Sequence, residues 1–190
     1  MNDQQGVRVE GPRVMLRELH PGDLEAIHAY ARLPAVSRHT HWDTHPDLTV
    51  TTAILNSWLA ETWASPRTVF NLAVDLNDSL VGVVRLAVIS AAHRRGEFGY
   101  ALHPDTWGQG LGTETARLLV GFGFGTLGLH RMEACCHPYN HGSRRVLEKT
   151  GLRYEGRIRD HMLVGGTWRD SLSYAILSTD QPAGNVPALV

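Results

Sequence analysis

Between Glu97 and Thr115 the chain reads EFGYALHPDTWGQGLGTET, an apolar strand running into a turn whose glycines, Gly108, Gly110 and Gly112, open a helix. Glycine lets the backbone come close to a ligand and adopt dihedrals that other residues avoid. The first turn of a helix carries N–H groups with no internal partner, and the positive end of the helix dipole lies there. Together these make an anion site that needs no lysine, and a diphosphate is its natural guest. From Thr113 to Phe124 the sequence TETARLLVGFGF supplies helix formers and an apolar stripe at Ala116, Leu119, Val120 and Phe124, which predicts the helix. Taken alone, a short glycine cluster also fits a plain turn between strand and helix.

The surroundings narrow the choice. A P-loop needs a Gly-Lys-Ser or Gly-Lys-Thr step, and none occurs. A dinucleotide fold would place the motif after the first strand of a repeated series, whereas here it follows several strands. A strand from His130 to His137 comes next, then Asn140-His141-Gly142-Ser143-Arg144-Arg145-Val146-Leu147-Glu148-Lys149-Thr150-Gly151, a helix stopped by a glycine. This order resembles the GNAT superfamily of acyl-CoA-dependent N-acetyltransferases. The turn is similar to that family's Gln/Arg-x-x-Gly-x-Gly/Ala signature, with Trp107 at the first position. The segment from Asn140 resembles its Asn-x-x-Ser-x-x-x-Leu-Glu-Lys-x-Gly element. The resemblance runs from about Arg13 to Ser178 and is closest to the branch of N-terminal acetyltransferases of ribosomal proteins. Val14-Met15-Leu16-Arg17-Glu18, Glu97-Phe98-Gly99-Tyr100 and Trp168-Arg169-Asp170 are in that branch's style. One departure matters: many members carry a tyrosine seven positions beyond the asparagine, and this sequence has Leu147 there.

With 190 residues and 43% hydrophobic content the chain can bury one sizeable core. A formal net charge of -1 argues against a general nucleic-acid binder. The apolar runs are too short or too interrupted to cross a bilayer, and MNDQQGVRVEG lacks a signal-peptide pattern, so a cytoplasmic location is expected. Cys135 and Cys136 are adjacent in a predicted strand and point to opposite faces, so free thiols are expected rather than a mutual disulfide.

Periodicity predicts a strand at 14–18, a helix at 22–31, an irregular stretch at 34–48, a helix at 50–62, and strands at 68–75 and 80–90 around an Asn77-Asp78 turn. A strand at 96–103, helix at 110–124, strand at 130–137, helix at 141–150 and strands at 152–163 and 167–177 complete the pattern. The fold class is mixed α/β: one GNAT-like domain with a mostly antiparallel twisted sheet, helices on both faces, and two parallel strands splayed around the acyl-CoA site. Residues 1–12 read as a loose N-terminal segment, 13–178 as the domain and 179–190 as a flexible tail. The glycines at 121, 123, 125 and 128 read as stopping the long helix and letting it pack closely.

The chemistry implied by the resemblance is attack of an uncharged amine on the acetyl-CoA thioester in a ternary complex, with no covalent enzyme intermediate. It requires amine deprotonation, carbonyl polarisation and protonation of the leaving thiolate. Glu97 matches the strand position where some members keep a catalytic glutamate, acting directly or through water, and its alternative is an ion pair with Arg94 or Arg95. Ser143 is the substitute for the missing tyrosine, set against a helix-capping role. Acetyl-CoA would be held by the backbone near Tyr100, Ala101 and Leu102, by the loop Trp107, Gly108, Gln109, Gly110, Leu111, Gly112 and Thr113, and by Asn140, Ser143 and Arg145. Trp107 also reads as a packing residue beside the loop, and Asn140 as a helix cap.

The acceptor cleft would be framed by Arg38-His39-Thr40-His41-Trp42-Asp43 and by Tyr154 to Asp170. Trp42 walls it, and His41, Asp43 or Glu97 meets the amine. A histidine here rivals Glu97 as base, since an imidazole pKa of about 6.5 needs no tuning. His39, His41 and His45 with Asp43 offer imidazoles and a carboxylate that suit zinc or another transition metal, but their spacing matches no closed structural site, and no metal is expected. The expected activity is acetyl transfer to a primary amine, either a peptide or ribosomal-protein N-terminus or an amine-bearing small molecule. The alternative is a non-catalytic acyl-CoA-binding or regulatory protein of the same fold. No nucleic-acid or membrane partner is expected, and edge strands with the final hairpin leave a homodimer open.

Overall fold

Alternation along the strands builds two cores from one sheet. In the third strand, Phe70, Leu72 and Val74 face one side while Ala73 faces the other; in the fourth, Val84 and Leu86 oppose Val83 in the same way. The computed structural model describes residues 6–180. Its strands are β1 (Arg8–Glu10), β2 (Val14–Glu18), β3 (Val69–Leu76), β4 (Ser79–Ser90), β5 (Arg95–Leu102), β6 (Arg131–Cys136), β7 (Arg153–Val164) and β8 (Thr167–Leu177). Its helices are α1 (Leu24–Ala31), α2 (Pro34–Ser37), α3 (Leu48–Thr62), α4 (Leu111–Gly125) and α5 (His141–Thr150).

The strands form one eight-stranded sheet in the order β1-β2-β3-β4-β5-β6-β8-β7. All neighbours are antiparallel except β5 and β6. Helices α4 and α5 cover one face through Leu118, Leu119, Phe122 and Leu147. Helices α1, α2 and α3 cover the other through Ile27, Tyr30, Val36 and Leu55. This is the mixed sheet, with helices on both faces, that the sequence predicts.

Local chemistry sets several boundaries. Asn77 and Asp78 have φ of 50° and 61°, the left-handed pair that a tight two-residue hairpin requires. Asn140 caps α5 by accepting from the Ser143 N–H at 3.0 Å, and Gly151, at φ 101°, ends it. At Gly123 a Cβ would meet Met132 Sδ at 2.3 Å, so this glycine lets α4 lie directly on β6.

Three details depart from the sequence reading. Arg8–Glu10, expected within the loose N-terminal segment, form β1, because Val9 pairs with Leu16 and buries its side chain. Residues 21–23 make a separate 3₁₀ turn before α1, since Asp23 accepts from the His20 N–H at 2.9 Å and from Arg17 at 2.9 Å. The stretch at 34–48 contains the short helix α2. Residues 1–5, and 181–190 of the predicted tail, lie outside the described residues.

Candidate active site

The parallel strands β5 and β6 pair only at Arg95↔Arg131, Gly96↔Met132 and Glu97↔Glu133. Beyond Glu97 they diverge, although β5 continues to Leu102 and β6 to Cys136. The divergence leaves one edge of β5 without a strand beside it and opens a cavity of about 740 Å³. Side chains from both faces of the sheet line it: Tyr100, Ser143 and Leu147 among those on the α4–α5 side, and Tyr30, Trp58 and Arg85 among those toward α1 and α3.

The glycine loop lies at the end of β5. Gly108 and Gly110 have φ of 74° and 81°, conformations that strain residues with a Cβ. Gly110 is the N-cap of α4 and has no capping side chain. Among the described residues, the N–H groups of residues 108–112 have no backbone acceptor. They supply the donors, and α4 the dipole, that a diphosphate needs. Trp107 donates its indole N–H to the Leu102 carbonyl at 2.9 Å, and Gln109 donates its side-chain amide to the Asp105 carbonyl at 2.7 Å. Both side chains brace the loop, and its backbone is left for a ligand.

Arg13 ties this loop to the start of β2. Its Nη1 donates to the Gln109 carbonyl at 3.0 Å and its Nε to Glu114 at 2.8 Å. The other Glu114 oxygen accepts the N–H groups of Arg13 and Val14 at 2.7 and 3.0 Å. Burial alone would raise the Glu114 pKa, but these donors and the guanidinium hold it below the ordinary carboxylate value.

In the cavity, Tyr100 donates its hydroxyl to Ser143 Oγ at 3.3 Å. Burial pushes the Tyr100 pKa up to about 12, so the phenol keeps its proton at neutral pH. The Ser143 hydroxyl hydrogen is thereby left to donate elsewhere. Since Asn140 performs the helix capping, the capping alternative for Ser143 does not hold. Leu147 is 1% exposed and belongs to the core, so no hydroxyl reaches the cavity from that turn. Arg145 is exposed on α5. The thiols of Cys135 and Cys136 are free, and burial pushes both up to about 11.

Glu97 lines the cavity beside the point where the strands part. Arg95, one of its two expected ion-pair partners, binds Glu133 instead at 2.7 Å, and among the described residues Glu97 itself has no ion pair. His41 and Trp42 also line the cavity, whereas Asp43 is exposed and is not part of its wall. His45, 5% exposed, packs against Trp42 with ring centroids 5.4 Å apart. Its Nδ1 is 3.0 Å from Thr51 Oγ1, which also lies 2.8 Å from His28 Nδ1. Among the described residues no group of three His, Cys, Asp or Glu side chains is placed to hold a metal ion. Nor is any helix there long and apolar enough to cross a membrane.

The family model for an acetyltransferase (GNAT) domain matches residues 13–153. This chain belongs to the GNAT acetyltransferase family. It is 40% identical to the probable N-acetyltransferase YjcK of Bacillus subtilis over 112 residues, 58% of this chain and 62% of that protein, so the match spans under two thirds of YjcK. It is 29% identical to the uncharacterised N-acetyltransferase YoaA of the same organism, over 89% of this chain and 96% of that one. The Mycobacterium smegmatis RimJ structure, in complex with CoA-disulfide, superposes with a TM-score of 0.82 at 26% identity, covering 98% of this chain and 94% of that one. The GNAT chain is an acyltransferase, and acetyl-CoA is its cosubstrate.

Several residues of the GNAT cavity carry no local sequence signal. The Tyr100 hydroxyl sits in a stretch expected to contribute only backbone, and the paired Glu61 and Arg85, 2.7 Å apart, come from α3 and β4. Each is the lone charged residue of its element, so no charge pattern announces the pair, which forms only when the helix lies on the sheet.

Proposed function

We propose that this chain transfers the acetyl group of acetyl-CoA to a primary amine by direct attack in a ternary complex, with Glu97 as base and Ser143 as acid. The observation that carries the reading is the single cavity through the splayed strands, with Tyr100 and Ser143 on one side and Glu97 on the other. Acetyl-CoA supplies an activated acyl group as its thioester. Glu97 takes the amine's proton, directly or through one water, and a peptide α-amine with a pKa of about 8 asks little of such a base. A β5 backbone N–H near Tyr100 polarises the carbonyl. Ser143, oriented by the Tyr100 hydroxyl, donates a hydrogen bond to the departing sulfur and passes it the proton that the newly acylated nitrogen sheds, regaining its own, in place of the tyrosine that Leu147 displaces.

The acceptor is a peptide N-terminus or an amine-bearing small molecule. Relatives carry names for different acceptors: a spermidine N(1)-acetyltransferase of Escherichia coli, 26% identical over 86% of this chain, and a ribosomal protein uS5-alanine N-acetyltransferase of the same species, 27% identical over 55%. One scaffold therefore serves several amines, and the acceptor-side walls of the cavity make the choice.

The test is thiol release from acetyl-CoA across N-terminal peptides and small amines, for the native protein, Glu97→Gln and Ser143→Ala. Amine-dependent release that falls about a hundredfold in Glu97→Gln supports the assignment. Release unchanged in Glu97→Gln but lost in His45→Asn moves the base to His45. Tight acetyl-CoA binding without release from any amine points to the non-catalytic binder.

A further inference from the structure

Arg169, on β8, is half-buried in the cavity wall and has no carboxylate partner among the described residues. The neighbouring Asp170 is already engaged: it accepts from Arg157 Nε at 2.5 Å and from the Asp160 N–H at 2.9 Å. Arg169 makes one hydrogen bond there, from Nη1 to the Arg38 carbonyl at 3.3 Å. A guanidinium has five donors, so most of this one's capacity is unused.

Basic side chains crowd around Arg169, and the one carboxylate beside it, Asp170, is taken up by Arg157. The rings of His39, after α2, and His137, after β6, stack with centroids 5.1 Å apart and planes 24° from parallel. Burial, then surrounding positive charge, holds both histidines below the ordinary imidazole value. For His39 that charge comes from His137, Arg38, Arg169 and His141; for His137 it comes from Arg169, with Asp170 opposing. Near pH 7 both rings are therefore neutral, each with one N–H to give. His39 Nδ1 is buried without a hydrogen-bond partner.

The opposite charge lies at the other end of the cavity. Glu97 sits where β5 and β6 part, whereas His137 follows the end of β6 beyond Cys136. The remaining charged pair on the wall, Glu61 with Arg85, is internally neutralised. The acceptor space thus offers a free carboxylate at one end and a free guanidinium with two neutral imidazoles at the other.

We propose that the acceptor amine also carries an anionic group, a carboxylate or a phosphate, which Arg169 receives with the help of His39 and His137. This rests on the acetyltransferase reading above, with Glu97 meeting the amine. Arginine suits the role because its planar fork matches both anions bidentately. The same site disfavours polyamines, whose second ammonium would face Arg169 without a counter-charge.

Two measurements test it. In the first, the protein loaded with CoA, so that the glycine loop is filled, is titrated with inorganic phosphate while the histidine ring protons are followed by NMR. His39 and His137 should shift saturably and titrate at higher pH, and Arg169→Ala should abolish both effects while Arg169→Lys keeps part of them. In the second, kcat/KM is compared for matched amines: amino acids against their carboxamides, and phosphoethanolamine against ethanolamine. The anionic member of at least one pair should be preferred by about tenfold, through KM, and Arg169→Ala should remove the preference. The pair that shows it distinguishes carboxylate from phosphate. The proposal is overturned if phosphate leaves the rings unmoved, if it moves them equally in Arg169→Ala, or if neutral amines are used as well as anionic ones. Should no amine release CoA, the acetyltransferase reading fails, and the phosphate titration still decides the anion site.

Discussion

Removing the Arg13 side chain should weaken acetyl-CoA binding without touching the groups that would contact it. In the folded protein Arg13 Nη1 holds the Gln109 carbonyl at 3.0 Å, and its Nε holds Glu114 in the first turn of α4 at 2.8 Å. Arg13 therefore fixes the loop between β5 and α4 from outside. Its side chain is 49% exposed, so the ion pair itself is worth at most about 1 kcal/mol after solvent screening. Freeing Gln109 and its neighbours restores conformational freedom that binding must remove again, at about 1 kcal/mol for one residue. The expected change in Arg13→Ala is an acetyl-CoA Kd raised about fivefold, measured calorimetrically, with kcat nearly unchanged. Glu114→Ala should cost more stability, about 2 kcal/mol in urea unfolding, because the N–H groups of Arg13 and Val14 also lose their acceptor. In that background Arg13→Ala should add little, since the two residues form one unit. An acetyl-CoA Kd unchanged in Arg13→Ala, at low and high salt alike, would show that the loop holds its shape without the tether and would refute the reasoning.

Further expectations concern the core and the histidines. Leu147→Ala should destabilise by about 2–5 kcal/mol, read as a lower urea midpoint, because a fully buried side chain at the α5–sheet contact leaves a void. Gly123→Ala should lower the midpoint by about 1–3 kcal/mol despite alanine's better helix propensity, because the new methyl would press on Met132 Sδ at 2.3 Å. Burial, with like charge nearby, holds His39 and His45 below their ordinary value of 6.5, so below that pH the unfolded chain binds more protons than the native one. Stability should then be level above pH 6.5 and fall as the pH drops through the depressed native values, and His45→Gln should reduce the fall measured by urea unfolding.

Much of the fold is readable because its cues are local. The Asn77-Asp78 turn, the Asn140 cap and the Gly151 stop act within a few residues and need no knowledge of the rest of the chain. The same holds for the glycine loop: glycine takes the positive φ found at Gly108 and Gly110 without strain, so the anion site could be anticipated. Alternating apolar residues along β3 and β4 imply two covered faces. β1 escaped notice because three residues with one buried valine carry no periodicity, and only pairing with β2 makes them a strand.

The candidate site is a different matter, since it depends on contacts that no local pattern encodes. The Tyr100–Ser143 bond joins residues 43 apart, the Arg13–Glu114 pair residues 101 apart, and the Arg169–Arg38 contact residues 131 apart. Arg95, one of the two partners that the alternative reading of Glu97 allowed it, goes to Glu133, which the parallel register of β6 places within reach. By itself the sequence determined the longer elements, the phosphate-type loop and the order of motifs, because propensity, capping and glycine dihedrals are short-range. Where β5 and β6 part, and which polar side chains meet in the resulting gap, was decided by tertiary packing, because hydrogen bonds and ion pairs act only over a few ångströms and form between whatever groups the fold brings that close.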